Sequence, residues 1–138
     1  DKPVKKKPSI SKTAKVKEGK VAKQDKEGKI FGWFISYSNP DGESVELREG
    51  KFFVSKDRLK DSDLIVQDES ISTPHAMITL SSSLGFQIQD LMSEHGLYIK
   101  RSNSKKYELI DDIEVIESGD WLRFGNVDYQ VVLIPTAE

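Results

Sequence analysis

Ser70-Ile71-Ser72-Thr73-Pro74-His75-Ala76-Met77-Ile78 joins a run of small polar residues to an apolar run. We predict a strand over residues 75–81. A second strand is predicted in Gly85-Phe86-Gln87-Ile88-Gln89-Asp90-Leu91, where apolar and polar residues alternate. Such alternation is typical of a strand with one buried face. The sequence therefore predicts a polar loop followed by two strands, and the rest of the fold extends from this unit in both directions.

Short runs rich in β-branched and aromatic residues continue on both sides of this unit. They are separated by turn residues such as Asn39-Pro40-Asp41-Gly42, because Pro and Gly fix special dihedral angles and Asn and Asp hydrogen-bond locally. No stretch keeps a helical apolar stripe over three turns, although residues 113–117 also fit one helical turn. We predict eleven strands, over residues 30–37, 44–49, 51–55, 63–67, 75–81, 85–91, 96–101, 106–110, 113–116, 120–124 and 127–134. Many short strands at regular spacing favour an antiparallel β-sandwich or barrel.

The charge of the chain is divided unevenly along its 138 residues, although the net charge is only −2. Residues 1–29 hold eleven lysines and four acidic residues, a net charge of +7, whereas the remainder holds ten basic and nineteen acidic residues, a net charge of −9. Residues 1–29 also lack aromatic residues and Leu, so they cannot bury enough apolar surface to offset the entropy of ordering. We therefore predict a disordered lysine-rich tail over residues 1–29 and one β domain over residues 30–138.

Nine of the ten basic residues in the β domain lie in two stretches, over residues 48–60 and 100–106. This clustering suggests that the acidic domain gathers its cations at one end in order to accept an anionic group. We therefore expect the two stretches to lie close together.

The composition excludes several classes of protein. The absence of Cys removes disulfides, thiol nucleophiles and thiolate metal sites, and it fits a reducing compartment. No apolar run approaches the roughly 18–20 residues of a membrane helix, and the basic N-terminus lacks the apolar segment of a secretory signal, so we expect a cytoplasmic protein. The chain opens on Asp1 without Met, which suggests a processed product or a piece of a longer protein.

Catalytic motifs are missing from the chain. His75 and His95 are the only histidines, and neither has a metal-ligand companion at helical or hairpin spacing. No nucleophile elbow, Walker-type loop or dinucleotide-binding glycine motif occurs. We therefore expect no catalytic residue, metal or cofactor in this chain, while an attached catalytic domain in a longer protein remains an open alternative.

Three stretches in a fixed order carry a family resemblance. The first is Ser70–Ile78, and it is followed by Gln89-Asp90-Leu91-Met92-Ser93-Glu94-His95-Gly96-Leu97-Tyr98-Ile99 and by Glu117-Ser118-Gly119-Asp120-Trp121-Leu122-Arg123-Phe124-Gly125. Their order resembles the forkhead-associated (FHA) domain, whose pattern is roughly I-S-x-x-H-A-x-I, D-L-x-S-x-N-G-T-x-V and G-D-x-I-x-x-G. The resemblance covers about residues 30–134. It implies an all-β, eleven-stranded antiparallel β-sandwich of the FHA/SMAD-like type, whose apical loops bind phosphothreonine peptides.

The resemblance implies two sets of phosphate-binding residues. Lys56 stands where the family usually has an arginine that reaches the phosphate, and it supplies charge without the planar two-pronged geometry of arginine. Arg58 is an alternative cation two residues later. Ser72 matches the serine whose hydroxyl contacts phosphate, and Thr73 fills the next recognition position. The simpler alternatives are that Lys56 and Arg58 belong to a solvated charged loop and that Ser72 caps a turn.

The stretch Ser93-Glu94-His95-Gly96-Leu97 departs most from the family pattern. His95 replaces an asparagine that holds the peptide backbone, and Glu94 stands where a small polar residue is common. Histidine can still donate a hydrogen bond and, when protonated, favours phosphate. Glu94 repels a phosphate unless it turns outward. His75 matches the family's structural histidine, which braces the loops from inside, and Gly96 matches the glycine of a turn that needs a positive φ.

The tail places Ser11 and Thr13 among lysines, where a Ser/Thr kinase could phosphorylate them. The family often reads the third residue after phosphothreonine, and Val16 supplies an aliphatic residue there. We therefore hypothesise that phosphorylated Thr13 docks on its own domain or on a neighbour's domain. An unmodified flexible linker is the simpler alternative.

The main functional prediction is a phosphothreonine-peptide-binding module, the regulatory or scaffolding domain of a larger signalling protein, with no small-molecule substrate. A degenerate FHA fold that serves phosphate-independent assembly is one alternative. Tail-mediated binding to nucleic acid or an anionic membrane is another, but the tail has no aromatic residue for base stacking and no apolar face for insertion. We therefore expect neither as a principal partner.

Overall fold

Two β-sheets packed face to face form the protein, which a computed structural model describes over residues 28–135. The predictions for the lysine-rich tail, including Ser11 and Thr13, lie outside the described residues apart from its last two positions. The strands are β1 (Ile30–Ser36), β2 (Glu43–Arg48), β3 (Gly50–Ser55), β4 (Leu64–Ile65), β5 (Ala76–Ser81), β6 (Gly85–Asp90), β7 (Leu97–Lys100), β8 (Glu108–Leu109), β9 (Glu114–Ile116), β10 (Trp121–Phe124) and β11 (Val127–Leu133).

The first sheet has the strand order β2-β1-β11-β10-β7-β8, and the second has the order β4-β3-β5-β6-β9. The predicted all-β sandwich of eleven strands is thus confirmed. Within the described residues the paired strands run antiparallel except β3 and β4, which are parallel, with Val54 opposite Leu64. This pair is parallel because the loop over residues 56–63 doubles back on itself before β4 begins.

The core lies between the sheets and is built from inward-facing residues, which alternate along a strand with outward-facing ones. Phe34 of β1 is fully buried and stacks on Tyr129 of β11, with 5.1 Å between ring centroids. It also meets Phe86 of the opposite sheet at 6.1 Å and Phe124 of β10 at 5.9 Å. Each buried aromatic ring removes roughly 150–250 Å² from water, so this cluster joins the two sheets.

Two predicted strands are much shorter in the structure. The predicted strand over residues 63–67 reduces to the two residues of β4, and the one over residues 106–110 reduces to the two of β8. Residues 114–116 form β9 rather than part of a helical turn, and Ile116 is buried in the core and pairs with Phe86. The structure contains no helix long and apolar enough to cross a membrane between residues 28 and 135.

The loops at one end of the sandwich lie far from both ends of the described chain. We call this the apical end, and its loops are the first loop (residues 56–63), the second loop (residues 66–75) and the third loop (residues 91–96). The turn between β10 and β11 lies there too, since the Gly125 amide donates to the Gly96 carbonyl at 3.1 Å. At the opposite, basal end β1 begins and β11 ends, where the Ile134 amide donates to the Phe31 carbonyl at 2.8 Å.

Candidate functional site

Ser72 lies where the three apical loops meet. Its carbonyl accepts a hydrogen bond from the Lys56 amide of the first loop at 3.1 Å. Its hydroxyl oxygen accepts one from the Glu94 amide of the third loop at 3.0 Å. The neighbouring Thr73 hydroxyl oxygen accepts from the Asp57 amide at 3.1 Å. These hydrogen bonds bring together four sequence-predicted residues at one end of the sandwich. They are Lys56, Ser72, Thr73 and Glu94.

His75 lies beneath the Ser72 junction, on its core side, and hydrogen-bonds to two of the loops. Its side chain is fully buried, Nδ1 accepts a hydrogen bond from the Ser72 amide at 3.0 Å, and Nε2 lies 2.8 Å from the Gly96 carbonyl oxygen. Because a carbonyl oxygen only accepts, Nε2 carries the proton and the ring is in its neutral form. Burial is the main cause that lowers the pKa of His75 below its usual value. The ring therefore links the second loop to the third as a neutral bridge.

The Ser72 hydroxyl keeps its donor capacity. It is half-buried, and within residues 28–135 no acceptor takes its own hydrogen. The accepted bond holds the oxygen in place, and the O–H can rotate towards an incoming acceptor. Such a donor suits an acceptor-only group such as a phosphate oxygen.

The two candidate cations of the first loop have different surroundings. Nη1 of Arg58 donates to the carbonyl oxygens of Asp61 at 3.0 Å and of Asp63 at 3.4 Å, so this guanidinium holds its own loop together. Lys56 is half-buried beside Ser72. Its charge also helps to lower the pKa of Asp68, for which the hydrogen bond from the Ser70 side chain is the larger cause. Of the two cations, Lys56 adjoins the Ser72 junction, and Arg58 supports the loop.

The third loop is fixed by a tight turn at Gly96. Gly96 has a φ of +88°, and a Cβ atom there would lie 3.0 Å from Cε1 of Tyr98. The Ser93 hydroxyl accepts from the Gly96 amide at 3.0 Å and donates to the Asp90 carboxylate. Glu94 and His95 are exposed at the tip of this loop, so their side chains face solvent and any approaching ligand.

Several residues that hold the site together have no assigned role in the sequence prediction. The buried Ser70 hydroxyl donates to the Asp68 carboxylate at 2.6 Å and accepts from the Asn126 amide at 2.9 Å, which ties the second loop to the β10–β11 turn. The buried Asp63 carboxylate caps the amides of Leu59 and Lys60 at 2.8 and 2.7 Å. The short spacings Asp68-x-Ser70 and Asp90-x-x-Ser93 are typical of turns in which the Asp side chain bonds to the Ser, so the sequence does contain a local signal for these contacts.

A cavity of about 460 Å³ adjoins the third loop and extends to the chain that follows β8. Its walls combine apolar and acidic side chains, which include Met92, Tyr98, Leu109, Glu94, Asp111 and Asp112. Local sequence patterns do not predict this cavity, because the pairing of β7 with β8 brings residues 109–112 beside residues 92–96.

The expectation that the basic residues of the domain gather at one end is wrong. Strand β7 runs away from the apical end, so the basic stretch over residues 100–106 lies towards the basal end of the sandwich. Lys100 lies over the rings of Tyr107 and Trp121, at 5.2 and 5.4 Å from the ring centroids. Of the two basic stretches, only the second half of residues 48–60 lies at the apical end, where it forms part of the first loop.

Among residues 28–135 no group of three or more His, Cys, Asp or Glu side chains is placed to hold a metal ion. The candidate site is therefore a polar surface of loop side chains that includes Lys56 and the Ser72 hydroxyl, backed by the buried His75. This arrangement can bind an anion beside a peptide backbone.

A family model identifies the family of this chain, and solved structures share its fold. The family model described as FHA domain matches residues 55–125, and no curated protein matches the chain. The FHA domain of the CT664 protein from Chlamydia trachomatis is similar in structure, with a TM-score of 0.61 and 22% identity over 75% of this chain and 97% of that chain.

Two further structures have the same fold. Mycobacterium tuberculosis EmbR in complex with a low affinity phosphopeptide gives a TM-score of 0.61 and 18% identity, over 79% of this chain and 26% of that chain. A structure from a structural and functional analysis of phosphothreonine-dependent FHA domain interactions gives a TM-score of 0.58 and 20% identity. The match covers 76% of this chain and 99% of that chain. Since the family match spans more than half of the 138 residues, the chain belongs to the FHA domain family.

Proposed function

We propose that this FHA domain binds phosphothreonine peptides at its apical end and acts as a regulatory or scaffolding module in signalling. The observation that carries this proposal is the Ser72 junction, where the Ser72 hydroxyl, the Lys56 backbone and the third loop meet within hydrogen-bond distance. Membership of a family of binding modules, rather than of catalysts, supports the same function. Two neighbours of the same fold are described with a phosphopeptide and with phosphothreonine-dependent interactions.

The chemistry of the ligand follows from the donors at the junction. A phosphothreonine carries about −1.5 to −2 charges at pH 7 and three strong acceptor oxygens. The Ser72 O–H supplies one short charge-assisted bond and the Lys56 ammonium supplies the opposing charge. Lysine binds phosphate as a point charge and lacks the fork of arginine. We therefore expect phosphate-dependent binding that is weaker than an arginine at position 56 would give.

The test is a titration of the full chain with a degenerate phosphothreonine peptide library and with the same library unphosphorylated. We expect only the phosphorylated library to bind. Ser72→Ala should weaken that binding by about tenfold or more, because a hydrogen bond to a charged group contributes roughly 1.5–3 kcal/mol. Ser83→Ala, a change of the same kind in the exposed β5–β6 turn, should leave it unaffected. Equal binding of both libraries contradicts the proposal.

The chain's own tail supplies a candidate ligand, a phosphorylated Thr13 made by a Ser/Thr kinase, with Ser11 as the alternative acceptor. Thr13 precedes Gly28 by fifteen residues, which span up to about 50 Å when extended. The seven residues of β1, which lead from the basal to the apical end, span only about 23 Å. The tail is therefore long enough to return to the loops of its own domain.

Kinase treatment of the wild type and of a Thr13→Ala variant tests this ligand. If phosphorylated Thr13 docks, backbone amide NMR signals of residues 70–75 and 91–96 should shift in the treated wild type only. Identical spectra of the two treated proteins would exclude it and leave a partner protein as the source of the phosphothreonine.

Phosphate-independent assembly is the second candidate function, and the exposed Glu94 favours it. A carboxylate at the tip of the third loop opposes an approaching phosphate, and Lys56 compensates less well than an arginine. The library titration separates the two candidates, because an assembly surface binds its partner equally well with and without phosphate.

A further inference from the structure

The cavity beside the third loop combines two kinds of wall. Met92, Tyr98 and Leu109 provide apolar surface, and the side chains of Met92 and Leu109 are 94% and 59% exposed. Glu94 and Asp111 add carboxylates at its margin, and both residues are exposed. Because the Glu94 amide is bonded to the Ser72 hydroxyl at 3.0 Å, the cavity borders directly on the Ser72 junction.

This combination matches one type of side chain. Lysine and arginine have an apolar stem that packs on apolar surface and a charged head that stays near water. A cavity with exposed Met and Leu on its walls and carboxylates at its margin accommodates both parts of such a side chain. A neutral polar residue uses neither feature fully, and an acidic residue is repelled.

We propose that this cavity binds the lysines that flank Thr13 in the chain's own residues 1–27, when phosphorylated Thr13 lies at the Ser72 junction. This inference rests on the proposed function and adds to it the class of flanking residue that the site reads. Lys12, Lys15 and Lys17 lie within four positions of Thr13, so they lie close to the cavity when the phosphate is at Ser72.

Charge and length both support this occupant. Residues 1–27 hold ten of the chain's lysines, whereas the cavity margin carries Glu94, Asp111 and Asp112. Asp111 and Asp112 are exposed, and the only bond recorded for either carboxylate within residues 28–135 is the one that Asp112 accepts from the Ile113 amide at 2.8 Å. The fifteen-residue separation between Thr13 and Gly28 lets the lysines reach the apical end together with Thr13.

The test compares two phosphopeptides that differ only in their flanks. The first has the sequence of residues 8–20 with phosphate on Thr13, and the second replaces Lys12, Lys15 and Lys17 by Gln. Both are titrated by calorimetry into the unphosphorylated full chain with the substitution Thr13→Ala, at low salt. We expect the lysine peptide to bind about tenfold more tightly, since each exposed ion pair contributes a few-fold in affinity.

Two double variants locate the source of this difference. Asp111→Asn with Asp112→Asn should reduce the preference for the lysine peptide to about threefold or less. Glu49→Gln with Glu117→Gln changes the net charge equally but lies at the basal end, so it should leave the preference close to tenfold.

The outcomes distinguish this inference from the proposed function. If the two phosphopeptides bind wild-type loops equally well and both need their phosphate, the cavity does not read lysine and the proposed function stands. If the lysine preference survives in the Asp111/Asp112 variant, its source lies elsewhere and the inference is wrong. If neither phosphopeptide binds more tightly than its unphosphorylated form, the proposed function fails, and the inference fails with it.

Discussion

His75 bonds to the second loop through one ring nitrogen and to the third loop through the other. The bond from the Ser72 amide requires the neutral ring, since protonation of Nδ1 removes its acceptor, whereas Nε2 can donate to the Gly96 carbonyl in either protonation state. The geometry of the Ser72 junction therefore depends on the protonation state of His75.

The stability of the domain should fall as the pH is lowered below about 6.5. Burial lowers the pKa of His75 in the folded state, so below the usual pKa of about 6.5 the unfolded chain binds more protons than the folded one. The stabilisation is complete above that value and is lost progressively under acid conditions. Urea denaturation between pH 5.0 and 7.5 measures the trend. His75→Ala should lower stability overall and flatten this part of the profile, and an unchanged slope would contradict the assignment.

Ser70 provides a second prediction for a single side chain. Ser70→Ala deletes a buried hydroxyl that donates to the Asp68 carboxylate and accepts from the Asn126 amide, which costs about 1–3 kcal/mol. The same change at the exposed Ser82 should alter the free energy of unfolding by less than about 0.5 kcal/mol. Denaturation in urea compares the two variants, and equal stabilities would show that the turn is held by other contacts.

The family pattern is enough to place Ser72 and His75 in one motif and Gly96 in the next, because it gives the spacing within each motif and the order of the motifs. It does not decide between Lys56 and Arg58 as the cation beside Ser72, since the direction of a loop side chain depends on which carbonyl oxygens are within reach. The roles of Ser70 and Asp63 depend on contacts between loops and with neighbouring amides, for which the sequence offers only the weaker signal of Asx-type spacing.

The elements at the basal end are joined by the residues around Asp120. This buried carboxylate accepts a bond from Arg101 at 2.8 Å and from the Glu117 amide at 2.9 Å. Arg101 also donates to the Val115 carbonyl at 2.9 Å and to the Glu114 carboxylate at 2.9 Å. Since Val115 and Glu114 belong to β9, the network links the second sheet to β7 and β10 of the first.

Asp120→Ala should destabilise the protein by about 1.5–3 kcal/mol, because it removes a buried carboxylate that accepts hydrogen bonds from Arg101 and from the Glu117 amide. Glu114→Ala breaks an ion pair that is about 40% exposed, so it should cost less than about 1 kcal/mol. Thermal unfolding of the two variants tests this order. If Glu114→Ala lowers the stability as much as Asp120→Ala does, the exposed ion pair between Arg101 and Glu114 contributes more than expected.

Strand positions are predictable from the sequence where the strand has one clear apolar face, as in β6, whose buried Phe86 and Ile88 alternate with polar residues. Strands β4 and β8 are shorter than predicted because apolar content alone does not show where pairing stops. The turn capped by Asp63 precedes β4 and the loop over residues 101–107 precedes β8, so each limits its strand on the N-terminal side. The parallel direction of β4 is likewise a consequence of loop geometry.

The two sheets share one aromatic cluster centred on Phe34, so the whole sandwich should unfold as one cooperative unit. Phe34→Ala should lower the free energy of unfolding by about 3–5 kcal/mol. Tryptophan fluorescence reports on Trp33 and Trp121 in the first sheet, and far-UV circular dichroism reports on both sheets. Coincident transitions in urea are expected for wild type and variant, whereas separate transitions would mean that the sheets unfold independently.

For the whole molecule, the sequence predicts the two-sheet architecture but not the distribution of charge over it. The basic stretch over residues 100–106 is close in sequence to the third loop, yet β7 carries it to the other end of the sandwich. Distance along the chain is a poor guide to distance in space once a strand intervenes, because four residues of strand already span about 13 Å.

Gly28 and Pro135, the two ends of the described chain, both leave the sandwich at the basal end, while the three loops face the other way. A surface linker, a fluorophore or a fused reporter attached after Pro135 therefore sits a full strand length from the three apical loops. This geometry makes the domain suitable as an oriented capture layer on a biosensor chip, with every molecule presenting the same face to the sample.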